Sequence, residues 1–396
     1  MQKTTTEHCP VCRSAAIDQS VDIRDVPIYC NVLWPSRQQA TAARTGDITI
    51  GYCRDCGHVF NRSFDPALMD YTEAYENSLH YSSVFNDYAE SLASRLCEKY
   101  DLHEKNIIEI GCGKGDFLSM LCARGNNRGF GFDKSYDAER FDAEGSGSIT
   151  FVQDFYGEKY AHYDADLLVC RHVLEHIEQP QAFLLEIRRL LEERPHAAVY
   201  FEVPNALYTL KDMGIWDLIY EHCGYFSEHS LRRVFELAGF DVQESGESFG
   251  GQFLYVEATP GARQDAMASV NPDADLQRLH QYFSRFEDAY HAKVNEWRRR
   301  LQGLRSEQKR TVIWGGGSKG ITFLNIMAAT GAVDFVVDLN PNKQGLFVPG
   351  TGQRVVAPAE LQKLRPDHVI VMNSIYADEI SDTLRTLGLD TEVSCV

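Results

Sequence analysis

No stretch of this 396-residue chain is apolar for long enough to cross a bilayer, and none reads as a signal peptide. Positive charge is scarce. The 39 Lys and Arg stand against 57 Asp and Glu, a formal charge of −18, which argues against nucleic acid or an anionic membrane as partner. The one dense basic run, Arg298-Arg299-Arg300, lies in a helix-prone stretch and reads as a solvated face. The C-x-x-x-C-x-x-C spacing of a radical iron–sulfur cluster is also missing, so an unactivated carbon is out of reach. Cysteine, by contrast, is plentiful. Eleven residues, several in C-x-x-C pairs, fit a reducing cytoplasm with a metal site better than a secreted disulfide framework. The length predicts two or three domains.

The chain is organised around Ile107-Ile108-Glu109-Ile110-Gly111-Cys112-Gly113-Lys114-Gly115, a short buried strand running into a glycine turn and then an amphipathic helix. Glycine has no Cβ and takes positive φ, so such a turn lets backbone approach a ligand closely. The apolar run Gly129–Phe132 ends in Asp133, 18 residues after Gly115, where a carboxylate accepts hydrogen bonds from ribose hydroxyls. The unit therefore predicts a nucleoside-binding βαβ. Its turn reads E-x-G-x-G-x-G and lacks the G-x-G-x-x-G spacing that seats a pyrophosphate on a helix N-terminus. Glu109 would repel phosphate but suits an amino or sulfonium group, which favours S-adenosylmethionine over a dinucleotide. At a third strand end, Asp154 is placed to read an adenine amino group and Phe155 to stack on the ring. A fourth strand ends in Arg171 and His172. Arg171 joins Glu109, Gly111, Gly113, Gly115, Asp133, Asp154 and Phe155 in the expected cofactor set. His172 stands where this strand delivers residues to the methyl group, and His176 reads as a structural hydrogen-bonder.

Upstream, Cys9-Pro10-Val11-Cys12 and Cys53-Arg54-Asp55-Cys56 form two C-x-x-C knuckles that can put four thiolates around one Zn²⁺. The alternative is redox-active or merely buried cysteine. With every position filled by protein the zinc would be structural. Tyr71, Tyr75, Tyr81 and Tyr88 punctuate a helix-prone stretch, and Tyr81-Ser82-Ser83 could form a lid. Downstream, Tyr220-Glu221-His222-Cys223-Gly224-Tyr225-Phe226 crowds titratable groups close enough to shift one another and to supply a general base. The plainer alternative is a loop whose aromatics pin a sheet edge. Finally, Gly315 to Gly320 spells G-x-G-x-x-G with Asp338 at the next strand end, a dinucleotide fingerprint when read alone.

This succession of zinc knuckles, cofactor core, Glu221-His222-x-x-Tyr225-Phe226 and a second α/β domain resembles the sugar C-methyltransferase family over nearly the whole chain. Two stretches depart from the family pattern. Ile219-Tyr220-Glu221-His222 stands where it has Tyr-His-Glu-His, and Phe249-Gly250-Gly251-Gln252-Phe253-Leu254 where it has His-Gly-Gly-Ser-Leu-Arg. The resemblance implies a class I methyltransferase Rossmann-like α/β core, flanked by a small N-terminal zinc module and a second, C-terminal Rossmann-like domain. The expected boundaries are 1–65 for the zinc module, 66–260 for the methyltransferase domain, 261–308 for a helical connector and 309–396 for the last domain. It further implies methylation of a small polar acceptor at a carbon α to a ketone, such as a nucleotide-linked deoxysugar. His222 carries over as base with Glu221 beside it, Tyr81 as lid tyrosine, and His172 and Tyr225 complete the catalytic set. O- or N-methylation on the same fold is the nearest alternative, and a non-catalytic cofactor-binding scaffold the next.

Overall fold

The computed structural model describes residues 6–69, 75–136, 148–261 and 274–396, so Tyr71 lies outside the described residues. Near the N-terminus, β1 (Ile17–Pro27), β2 (Thr45–Cys53) and β3 (Val59–Asn61) form an antiparallel meander. Ile48, Ile50 and Tyr52 alternate along β2 and share one face of the pleat. All three are fully buried, and Tyr52 stacks on Phe283 of the long helix Ala274–Ser306 at 4.8 Å.

The central sheet begins with five parallel strands: β4 (Asn106–Ile110), β5 (Arg128–Phe132), β6 (Ser148–Val152), β7 (Leu167–Arg171) and β8 (Ala198–Pro204). A two-residue strand, β9 (Gly224–Tyr225), leaves this sheet and pairs with β3 of the meander, Val59 opposite Tyr225. The hairpin β10 (Phe240–Ser248) and β11 (Phe253–Pro260) then closes the seven-stranded order β10-β11-β8-β7-β4-β5-β6. Leu167 to Cys170 are fully buried, the continuous apolar run of a strand covered on both faces. The strand order reverses between β4 and β7, and a crevice opens at the carboxyl ends of strands where that happens.

A second parallel sheet follows, built from β12 (Thr311–Trp314), β13 (Val333–Val337), β14 (Arg354–Val356), β15 (His368–Val371) and β16 (Glu392–Cys395). Its order β14-β13-β12-β15-β16 reverses between β12 and β15. The turn after β12 is tight. A Cβ on Gly320 would sit 2.0 Å from the Gly315 carbonyl oxygen, which requires glycine there. The helix Ala274–Ser306 spans 33 residues and buries Leu279, Phe283, Phe286, Tyr290, Val294, Trp297 and Leu301 at the three- and four-residue spacing of one helical face. One apolar core runs from Ile48 through Phe286 to Ile313 and Phe323, joining the meander to the last sheet. Among the described residues no helix is long and apolar enough to cross a membrane.

Candidate active site

The C-x-x-C pairs meet. Sγ of Cys9 lies 3.5 Å from that of Cys56, Sγ of Cys12 lies 3.5 Å from that of Cys53, and all four fall within 4.8 Å of one another without a disulfide. Each knuckle is closed by a backbone bond, Arg13 N–H to Cys9 O and Gly57 N–H to Cys53 O, with Arg13 and Gly57 in the left-handed region. Four thiolates packed this closely, three of them buried and Cys12 partly so, would repel one another, so the donor set fits a tetrahedral dication such as Zn²⁺.

At the mouth of β4, Gly111 takes φ +71°, and a Cβ there would fall 2.1 Å from Val173 Cγ2. Nothing lies within 4 Å of a Cβ built on Gly113, the open side of the turn. The Asp133 carboxylate braces that turn. It accepts Gly113 N–H at 2.8 Å through Oδ2, and Ser135 N–H and Oγ–H at 2.7 Å through Oδ1. Gly115 opens the helix Asp116–Gly125 at φ +90°. At the adjacent strand end, Asp154 accepts from Tyr160 Oη and from Lys159, which hold its carboxyl down at about 2. Phe155 is 67% exposed, with Lys134 Nζ 5.6 Å from its ring centre. Glu109 is buried beside the turn, and burial pushes its carboxyl up to about 8 against the pull of Arg171. Its Oε2 has no hydrogen-bond partner among the described residues. A ribose, an adenine and an ammonium group would each find a suitable neighbour along this edge.

Beside the turn, the carboxyl ends of the two parallel sheets face each other across a cavity of about 290 Å³. His172, Glu175, His176 and Pro204 enter from the ends of β7 and β8; Lys319, Asp338 and Asn373 enter from the ends of β12, β13 and β15. Tyr81 and Ser82 lie along its rim. Their segment is tied to the last sheet by Asn340 to Glu76 (3.0 Å), Asn342 to Tyr81 Oη (3.1 Å) and Ser82 to Glu379 (2.7 Å). His222, from the loop before β9, meets His176 edge to face at 4.9 Å. Burial first, then the neighbouring His176, holds the His222 imidazole well below its ordinary pKa, so it is neutral at pH 7.

Residues 82–245 match the family model for a methyltransferase domain, and residues 250–390 match that for a C-methyltransferase C-terminal domain. The C-methyltransferase NovU of Streptomyces niveus is 26% identical over 330 residues, 76% of each chain. The two matched domains follow one another along the chain, and it is a C-methyltransferase. It is an S-adenosylmethionine-dependent enzyme acting on a small-molecule acceptor. Among solved structures, the magnesium protoporphyrin IX methyltransferase of Synechocystis PCC 6803 covers 44% of this chain and 83% of its own at 19% identity and a TM-score of 0.34. The 1,6-didemethyltoxoflavin-N1-methyltransferase of Burkholderia thailandensis covers 46% and 82% at 17% identity and a TM-score of 0.35.

Within this C-methyltransferase, His172, His222 and Tyr81 come to one cavity, whereas three other expected site residues face elsewhere. Glu221 does not hold His222. Its fully buried carboxylate accepts Cys30 N–H at 2.8 Å, and burial raises it to about 7. What Glu221 offers the site is its backbone carbonyl, which accepts from His176 Nδ1 at 2.9 Å. The Tyr225 hydroxyl turns inward to donate to Ile219 O, because β9 pairing commits that side chain to the loop interior. Arg171 lies outside the cavity lining, buried with its Nε 3.0 Å from Glu202 and its guanidinium 4.3 Å from the ring centre of Phe117, just past the glycine turn.

Glu202 is the residue that sequence reasoning missed. It gathers Arg171, Tyr88, Tyr200, Ser248 and His172 on one buried carboxylate, with His172 Nε2 at 3.2 Å. Its one available signal was a carboxylate set alone in the apolar run Val199–Val203. His172 itself sits at φ +56°, unusual for a non-glycine residue, at the end of β7. Burial pushes the His172 pKa down, but Glu175 and Glu202 prevail and the net direction is up.

Proposed function

We propose that the enzyme methylates the carbon α to the ketone of a nucleotide-linked deoxysugar, with His222 as general base. The observation that carries this reading is the neutral imidazole of His222 in a cavity that also admits Tyr81 and adjoins the cofactor turn at His172. The acceptor's carbonyl acidifies its α carbon. His222 takes the α proton, the C–H electron pair passes into an enolate, and Tyr81 Oη donates a hydrogen bond to the enolate oxygen. The enolate carbon then forms a bond to the donor's methyl carbon as the sulfur–methyl bond breaks, and imidazolium returns its proton to water. S-adenosylmethionine supplies an electrophilic methyl group on a sulfonium; the chain's remaining task is alignment. Asp133, Asp154 and the glycine turn would hold the nucleoside, and Glu109 the amino end. The acceptor's nucleotide would extend toward the turn after β12, where Lys319 and Lys343 stand. Zn²⁺ on Cys9, Cys12, Cys53 and Cys56 would be structural.

Exchange of the acceptor's α proton with deuterated water, measured with S-adenosylhomocysteine bound, tests the reading. The wild type should exchange it. His222→Ala should abolish exchange and lower turnover by about 10²–10⁴, the range for a lost general base, with cofactor affinity unchanged. No exchange in the wild type would end the enolate mechanism. Exchange that survives in the variant would move the base to His172.

A further inference from the structure

A second set of metal-type donors, sharing no residue with the cysteine cluster, lines the cavity. Glu175 and His176 end the short turn after β7, and His222 comes from the loop before β9; one carboxylate oxygen and one nitrogen of each ring lie within 4.8 Å of one another. Glu175 is 1% exposed, and its Oε2 has no hydrogen-bond partner among the described residues. The same is true of Nδ1 of His222. Nδ1 of His176 lies 2.9 Å from the Glu221 carbonyl, which can only accept, so the neutral His176 ring carries its proton on Nδ1 and its lone pair on Nε2. The two contributing segments are also fixed to each other by Cys223 Sγ at 3.4 Å from Glu175 O. The donors are therefore held in place by the fold around them.

We propose that Glu175, His176 and His222 form a second, exchangeable site for a divalent transition-metal ion. Two imidazoles with one carboxylate suit Zn²⁺, Co²⁺ or Ni²⁺ and discriminate against Mg²⁺ and Ca²⁺, which prefer oxygen-only shells. Three protein donors leave further positions toward the cavity for water or acceptor oxygen. An ion at His222 takes the lone pair that would accept a proton, so occupancy and proton removal exclude each other. Binding of the ion does not depend on the assignment of His222 as base.

The test uses the full chain with its cysteine site loaded with zinc. Added CoCl₂ should produce visible ligand-field absorption without the near-ultraviolet thiolate-to-cobalt bands that exchange into the cysteine site would give. By equilibrium dialysis the wild type should bind one equivalent more than His176→Ala, and Glu175→Gln should weaken that equivalent about tenfold or more. The exposed His196→Ala should bind as the wild type does. The proposal is overturned if the wild type takes up no cobalt outside the cysteine site, or if His176→Ala and Glu175→Gln bind it as tightly as the wild type. A variant without a cooperative melt is replaced by the other of the pair. Proton exchange measured without added metal reports separately on the base.

Discussion

Replacing Glu202 by glutamine removes one charge and almost no volume, so its effect isolates the buried ion cluster behind the site. The side chain is fully buried. Its carboxylate takes Arg171 Nε at 3.0 Å, Tyr200 Oη at 3.1 Å and Ser248 Oγ at 3.3 Å, together with Tyr88 Oη and His172. Arg171 is itself buried, and its Nη2 has no other partner among the described residues. The variant therefore strands a guanidinium in the interior, a break that costs about 3–5 kcal/mol. At ~2–4 °C per kcal/mol for a domain of this size, Tm should fall by roughly 6–20 °C at pH 7. The pH dependence has a definite sign. Burial opposes ionisation of Glu202, but Arg171 and then His172 and Tyr88 prevail and hold the carboxyl below its ordinary range. Its stabilisation is fully present above the unfolded pKa of about 4.3 and is lost as pH falls through the lower folded value. The gap between the two proteins should therefore persist at neutral pH and close only in acid. Combining Glu202→Gln with Arg171→Met should be milder than the sum of the single changes, with a coupling of about 1–3 kcal/mol. A Tm unchanged at pH 7, or strict additivity in the cycle, would refute the reasoning.

Three further outcomes follow from the cofactor edge and the cysteines. Asp133→Ala should weaken S-adenosylmethionine binding by about 1.5–3 kcal/mol in calorimetry, since the carboxylate braces Gly113 and is the proposed ribose acceptor. Burial keeps Glu109 protonated below about 8 in the free protein, whereas a bound ammonium favours its anion, so cofactor binding should release a proton and tighten as pH rises toward that value. Glu109→Gln should remove the proton release, which calorimetry in buffers of different ionisation enthalpy reads directly. Cys53→Ser should expose residues 6–69 to proteolysis and lower turnover, because β9 ties the His222 loop to that module, while cofactor affinity survives. Retention of full activity would show that the loop does not need its sheet partner.

Local features were legible in the sequence. The spacing of the glycine turn and the paired cysteines each carry their geometry within a few residues, and the βαβ unit followed from the first of them. The direction of a side chain in a crowded loop did not. Glu221 and His222 are neighbours in the chain, yet the carboxylate of one bonds Cys30 and the ring of the other faces His176, because β9 pairing fixes the loop from outside. Long-range partners were equally hidden. Lys319 meets Asp217 at 2.8 Å across the cavity, and nothing near either residue announces the other. Glu202 is a single carboxylate in an apolar strand, and the five groups converging on it come from four separate segments.

The pairing of β3 with β9 has a consequence for how the protein is made. The outer edge of β3 has its backbone partner only once residues 224–225 have left the ribosome. At about 5–20 residues per second, the nascent chain carries that bare edge for on the order of ten to thirty seconds. An unpaired edge is a template for a strand from another chain. Slow or interrupted translation within the central sheet should therefore surface as aggregation seeded at the N-terminal meander, far from the codon at which elongation stalled.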